Sequence, residues 1–146
     1  MSKWYLASIV LEHRIEGDKR RVLHVNTCLI RASSAESAYE KSITFGRSQQ
    51  SRYQNTKDKT VTVRFRGIQD IKFIDDRLEH GTELFYVEKV TSSESRIRLM
   101  LCEKSKLSVF KKRMKPTKSA PNYMPKDIYD MLLNAGFRDS DLYRQK

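Results

Sequence analysis

Apolar residues crowd the stretch from Trp4 to Ile15, with Tyr5, Ala7, Ile9 and Leu11 on one parity and Trp4, Leu6 and Val10 on the other. That pattern predicts a strand buried on much of both faces. Glu16-Gly17-Asp18-Lys19 supplies turn chemistry, because glycine takes positive φ without strain. The extended pattern resumes from Arg21 to Arg31 through Val22, Leu23, Val25, Leu29 and Ile30, so the two segments are expected to form an antiparallel hairpin.

Ser33 and Glu36 have capping-box spacing. A helix is predicted from there, with Ala35, Ala38, Tyr39 and Ile43 as the stripe lying on the sheet and Gly46 as its C-terminal stop. Residues Gln49 to Lys59 contain almost nothing apolar and are expected to be an exposed loop. Alternation returns at Thr60, with Val61, Val63 and Phe65 on one face and Thr62, Arg64 and Arg66 on the other. Gly67 is a candidate bulge, since Ile68, Ile71, Phe73 and Ile74 do not keep a single register. Thr82 to Val90 is expected to add a last strand.

The expected architecture is α+β: an antiparallel sheet of about four strands in ββαββ order, one covering helix, and a C-terminal extension containing a short helix. The domain is placed at residues 1–92 and the extension at 93–146. Within the extension, Arg96 to Leu101 is ambiguous between helix and strand, 111–124 is expected to be a linker containing Pro116 and Pro121, and 125–136 a short helix. With 146 residues and 38% hydrophobic content, one modest core is affordable and a second would be hard to fill.

Charge changes this picture more than composition does. The formal net charge is +11. Residues 1–92 account for +4 and residues 93–146 for +7, and Arg96 to Lys118 alone carries +8, with Glu103 its single acid. Such a block either extends as a solvated tail or lies against a polyanion. Cys28 and Cys102 form no CxxC pair, which fits a reducing compartment, and a cytoplasmic location is expected. No run approaches the ~18 apolar residues of a membrane span, and Glu12, His13 and Arg14 stand where a signal peptide needs small cleavage-site residues.

Trp4-Tyr5-Leu6-Ala7, Ala35-Glu36-Ser37-Ala38-Tyr39-Glu40-Lys41, Phe65-Arg66-Gly67-Ile68-Gln69-Asp70-Ile71 and Gly81-Thr82-Glu83-Leu84 stand in this order along the chain. Through them residues of about 3–88 resemble a bacterial family of uncharacterised proteins, domain-of-unknown-function family 4288. The resemblance implies a fold. It implies no activity, cofactor or catalytic set, and residues 93–146 lie outside it.

Candidate chemistry is sparse. His13 and His24 would nearly face each other across the hairpin, but no HxH, HExxH or Cys/His cluster joins them, so ordinary strand histidines are expected rather than a metal or catalytic site. Cys28, near His24 and Arg21, reads as a small buried hydrophobe. Asp70, Asp75, Asp76 and Glu79 lack the spacing of a calcium loop. No Gly-rich phosphate loop exists, and no nucleophile, base and orienting group can be named together, so a non-enzymatic binding protein without cofactor or metal is expected.

Basic residues carry the functional expectation. Arg64 and Arg66 project from one face of a strand, and Arg96, Arg98, Lys104, Lys106, Lys111, Lys112, Arg113, Lys115 and Lys118 follow in the extension, able to contact phosphates. Tyr53, Phe110 and Tyr123 are candidates for stacking on bases. The expected partner is nucleic acid, RNA favoured. The rival expectation is an acidic protein partner, with Ile128, Met131 and Leu132 of the short helix inserted in its groove.

Overall fold

The fold is seen in a computed structural model that describes residues 1–111 and 117–142. Four antiparallel strands form a single sheet: β1 (Lys3–Ile15), β2 (Arg21–Ala32), β3 (Ser51–Gln54) and β4 (Thr60–Ile74), in spatial order β2-β1-β4-β3. Helix α1 (Ala35–Ser48) connects β2 to β3 and covers one face. The α+β architecture and the ββαββ order therefore hold. Two of the elements that make up that order differ from expectation.

β3 lies inside the stretch read as a loop. Its polar character misleads because a short edge strand needs few apolar residues; Tyr53 alone packs toward the core. A tight turn closes the β3–β4 hairpin, in which the Asn55 Oδ1 accepts from Lys57 N at 2.9 Å and Lys59 N at 3.0 Å. The expected strand at Thr82–Val90 does not form. β propensity makes a strand only where an edge is in reach, and this segment uses its apolar side chains differently. Phe85 lies over the sheet beside Leu6, Ser8 and Thr27, with the Lys72 ammonium 5.7 Å from its ring centre.

The core sits between α1 and the sheet, built on Tyr5, Ala7, Ile9, Leu11, Ile30, Ala32, Ala38 and Val63. β4 keeps facing it by means of two register shifts against β1, one between Ser8 and Ile9 and one between Val10 and Leu11. Each inserts an extra residue in β4, which returns Ile68 and Ile71 to the core side after Phe65. Gly67, at φ +145°, belongs to the second shift.

Helix α1 starts at Ser34, whose Oγ accepts from Ser37 N at 3.1 Å; Ser33 is not the cap. Its buried face is Ala38, Ser42 and Gly46; of the predicted stripe Ala38 is buried and Ile43 half-buried, while Ala35 and Tyr39 are exposed. Small residues four apart let the helix come close to the strands. Gly46 is a packing position rather than a stop, since a Cβ there would collide with the Phe65 ring.

Beyond the sheet, the ambiguous segment resolves as a helix, α2 (Glu94–Met100), capped by Ser93. α3 (Lys126–Asn134) matches the expected short helix. The described part of the expected linker is not a free connector: the Asn55 Nδ2 donates to Asn122 O at 2.7 Å, Asn122 Nδ2 donates to Thr56 Oγ1 at 2.7 Å, and Asn55 forms a bridge with Pro125. Residues 119–126 thus strap the extension to the β3–β4 turn.

Candidate functional site

The sheet face away from α1 carries the even-numbered residues of β1: Trp4, Leu6, Ser8, Val10, Glu12 and Arg14. Cross-strand register sets Arg14 opposite Arg21 of β2 and Glu12 opposite Arg64 of β4. Arg66 is the residue inserted by the bulge, for it has no partner while Phe65 pairs with Leu11 and Gly67 with Val10. Four arginines on three adjacent strands therefore surround one glutamate, within about 10 Å across the strands at ~4.8 Å per spacing.

Glu12 is only 2% exposed, yet it is charged. Arg14 Nε donates to its Oε1 at 2.5 Å, Arg66 Nη1 donates to its Oε2 at 2.7 Å, and Arg21 Nη1 stands 3.8 Å from the same oxygen. Burial pushes the carboxyl pKa up, but the Arg14 hydrogen bond and the charges of Arg14, Arg66 and Arg21 outweigh it and hold it below the usual carboxylate range. The guanidinium groups remain about half exposed. One negative charge organises three positive ones, carried on side chains that are half open to solvent. Like charges directly opposite, as at Arg14 and Arg21, repel; the buried carboxylate offsets that repulsion and fixes the fork geometry that suits phosphate or carboxylate oxygens.

A family model described as "Domain of unknown function (DUF4288)" matches residues 4–86. The chain belongs to the DUF4288 family. No curated protein and no solved structure matches the chain. The DUF4288 region contains the sheet except its first residue Lys3, together with α1 and all four arginines around Glu12, while the strap and α3 lie beyond it.

Of the residues singled out from sequence, Arg64 and Arg66 do share one face, and both belong to this cluster. Arg14, Arg21 and Glu12 were missed. The available signal was an acid within a largely apolar strand, which asks for a cationic partner. Arg96 and Arg98 lie on the exposed α2, Arg98 3.4 Å from Glu94. Lys104 stands over the Phe110 ring and Lys106 pairs with Glu103. Lys111 and Lys118 are exposed, and Lys112, Arg113 and Lys115 lie outside the described residues. The strap brings one end of the basic stretch to the hairpin: Arg20 Nη1 donates to Ser119 O at 2.5 Å, so Lys118 is next to the residue that Arg20 holds, and Arg20 adjoins Arg21.

On α3, Ile128 and Met131 are exposed and Leu132 is half-buried. Tyr53 and Tyr123 are not open stacking platforms. The Tyr53 hydroxyl donates to the Tyr123 carbonyl oxygen, and the Tyr123 ring packs 5.6 Å from His13 and 5.2 Å from His24. His13 and His24 are diagonal rather than directly opposite, since His13 faces Val22 and His24 faces Leu11, and their ring centres are 4.3 Å apart. Cys28 is half-buried, and burial raises its thiol pKa. Asp70 pairs with Lys72, whereas Asp75, Asp76 and Glu79 are exposed. Among the described residues no three His, Cys, Asp or Glu side chains gather in a metal-binding group, and no helix is long and apolar enough to cross a membrane.

Proposed function

We propose that this chain is a non-enzymatic binder of nucleic acid, RNA or a ribonucleoprotein, which grips phosphates with the open sheet face and the basic extension together. The observation that carries the reading is the convergence of Arg14, Arg21 and Arg66 on buried Glu12, with Arg64 beside them. A phosphodiester meets preformed forks there, so little side-chain entropy is lost on contact. Half-exposed guanidinium planes also suit single-stranded RNA, whose splayed bases stack on arginine. The strap places Lys118 and Arg20 at the same end of the sheet, which extends the positive surface past the cluster.

Binding of labelled mixed-sequence RNA and DNA oligonucleotides, measured across a salt series, tests this. The expected result is affinity that falls steeply as salt rises, as neutralisation of several phosphates requires. Salt-independent binding, or none at low salt, removes the reading.

A second reading is supported by a separate feature. From Leu84 to Phe110 the apolar residues Tyr86, Val87, Val90, Leu99, Leu101 and Val109 are all at least 70% exposed, an unusual outlay of apolar surface. An acidic protein partner would cover it, with α3 contributing Ile128 and Met131. Affinity capture from lysate before and after nuclease separates the readings: a protein retained after nuclease favours the second, and loss of all bound material favours the first.

A further inference from the structure

β2 is an edge strand of twelve residues, and its outer side is open. Glu16 N donates to Thr60 O, so even-numbered β1 backbone groups point to β4 and odd-numbered ones to β2. In the β1–β2 register odd β1 residues face even β2 residues. The N–H and C=O groups of Arg21, Leu23, Val25, Thr27, Leu29 and Arg31 therefore point away from the sheet. Consistent with this, the Arg31 carbonyl accepts from Lys41 Nζ at 2.8 Å, outside the ladder. No backbone–backbone bond among the described residues reaches that outer side from elsewhere. Exposed edges are usually blunted by proline, a bulge or a cover. Here there is no proline and no shift in the β1–β2 register, and α1 guards only the Arg31 end.

The same residues carry apolar side chains on the open face, with Leu23, Val25 and Leu29 exposed at 59%, 48% and 47%. We propose that two copies of this chain pair through β2, antiparallel about a two-fold axis at Thr27. In that register Val25 meets Leu29 of the second copy, Leu29 meets Val25, and the two Thr27 residues face each other, with about six backbone hydrogen bonds among these three pairs. Leu23 then lies along the aliphatic stem of Arg31 from the second copy. Neighbouring registers are poorer. Each loses the two Val25–Leu29 pairs: an axis at Asn26 sets Arg21 against Arg31 and Val25 against Thr27, an axis at Cys28 sets Leu29 against Thr27, and an axis at Val25 sets Leu23 against Thr27 and Leu29 against Arg21. An isologous contact of this kind closes on itself, which is why an open edge gives a dimer and not a fibre. The result is one eight-stranded sheet whose two arginine clusters share a face.

Sedimentation velocity on nuclease-treated protein, at concentrations from about 1 to 100 μM, reads the assembly. The expected outcome is a dimer for the native chain and monomers for Val25→Glu and for Leu29→Lys, both exposed positions at which the fold should persist by circular dichroism. Because Val25 faces Leu29 across the axis, mixing the two variants should restore a dimer containing one copy of each. Amide exchange supplies a readout without substitution: Val25, Thr27 and Leu29 should be protected at high concentration and exposed on dilution. A native monomer at the highest concentration overturns the proposal, as does a dimer that survives Val25→Glu. A native dimer that both substitutions break but mixing does not restore overturns the register.

Discussion

Arg66 reaches from the bulge of β4 to Glu12 on β1, its Nη1 2.7 Å from the Glu12 Oε2. Arg66 is the extra residue of that bulge, standing between Phe65 opposite Leu11 and Gly67 opposite Val10, so it has no cross-strand partner of its own and its side chain pairs with Glu12 instead. Bulges often re-aim a side chain beside a working surface. Here the bulged residue completes a cationic cluster.

Removing the organiser should be worse than removing one of its dependants. Glu12→Gln leaves the arginines facing each other without a counter-charge, and we expect a stability loss of about 1–2 kcal/mol, from two charged hydrogen bonds made by half-exposed partners. If the arginine fork binds phosphate as proposed, oligonucleotide affinity should fall despite the gain in net positive charge. Chemical denaturation together with a binding isotherm checks both, and stronger binding by Glu12→Gln would show that charge alone governs.

The salt slope counts contacts. Arg64→Gln and Arg66→Gln should each reduce the slope of log affinity against log salt by about 0.7 for a single strand, the value for one phosphate contact. Tyr39→Ser, on the exposed side of α1, should leave the slope unchanged. Equal effects at all three positions would point to binding elsewhere.

Gly46→Ala should destabilise the fold by about 1–3 kcal/mol, since the Phe65 ring has to move or the helix has to lift. At an ordinary interior helix position the same change would stabilise. Thermal melting gives the sign directly.

Acid should loosen the hairpin end. Burial and the neighbouring His24 charge push the His13 pKa below its usual value, with a Val22 backbone hydrogen bond opposing them in part. His13 Nδ1 is buried and has no hydrogen-bond partner among the described residues. Tyr123 of the strap is the other ring against it. A depressed histidine pKa means that the unfolded chain binds the proton more readily, so the stabilisation is complete above about pH 6.5 and is lost as pH falls through that value toward the lower folded-state one. Melting temperatures between pH 7.5 and 5 should drop more for the native chain than for His13→Phe. Parallel curves for the two would remove His13 as the cause.

Local periodicity was enough for β1, β2, α1 and β4, because alternation and helical spacing record which side of each element meets the core. It also located the glycine at one register shift and the shared face of Arg64 and Arg66. It failed where an element is defined by its neighbour. Gln49–Lys59 looked polar enough to be an exposed loop, yet Ser51–Gln54 pairs with β4, while the more β-prone Thr82–Val90 found no ladder to join. Tyr39 looked like core because it is apolar, and Gly46 looked like a stop because it is glycine, but the distance to Phe65 selected small residues for the buried side of the helix.

The Glu12 cluster shows the division most clearly. The charge of each residue is written in the chain, and so is the hairpin that sets Arg14 against Arg21. That Arg66 joins them depends on β4 lying next to β1 in this register, a fact about long-range pairing that no window of sequence contains. Periodicity reports burial residue by residue, whereas an electrostatic site is a relation between strands, and only packing brings those strands side by side.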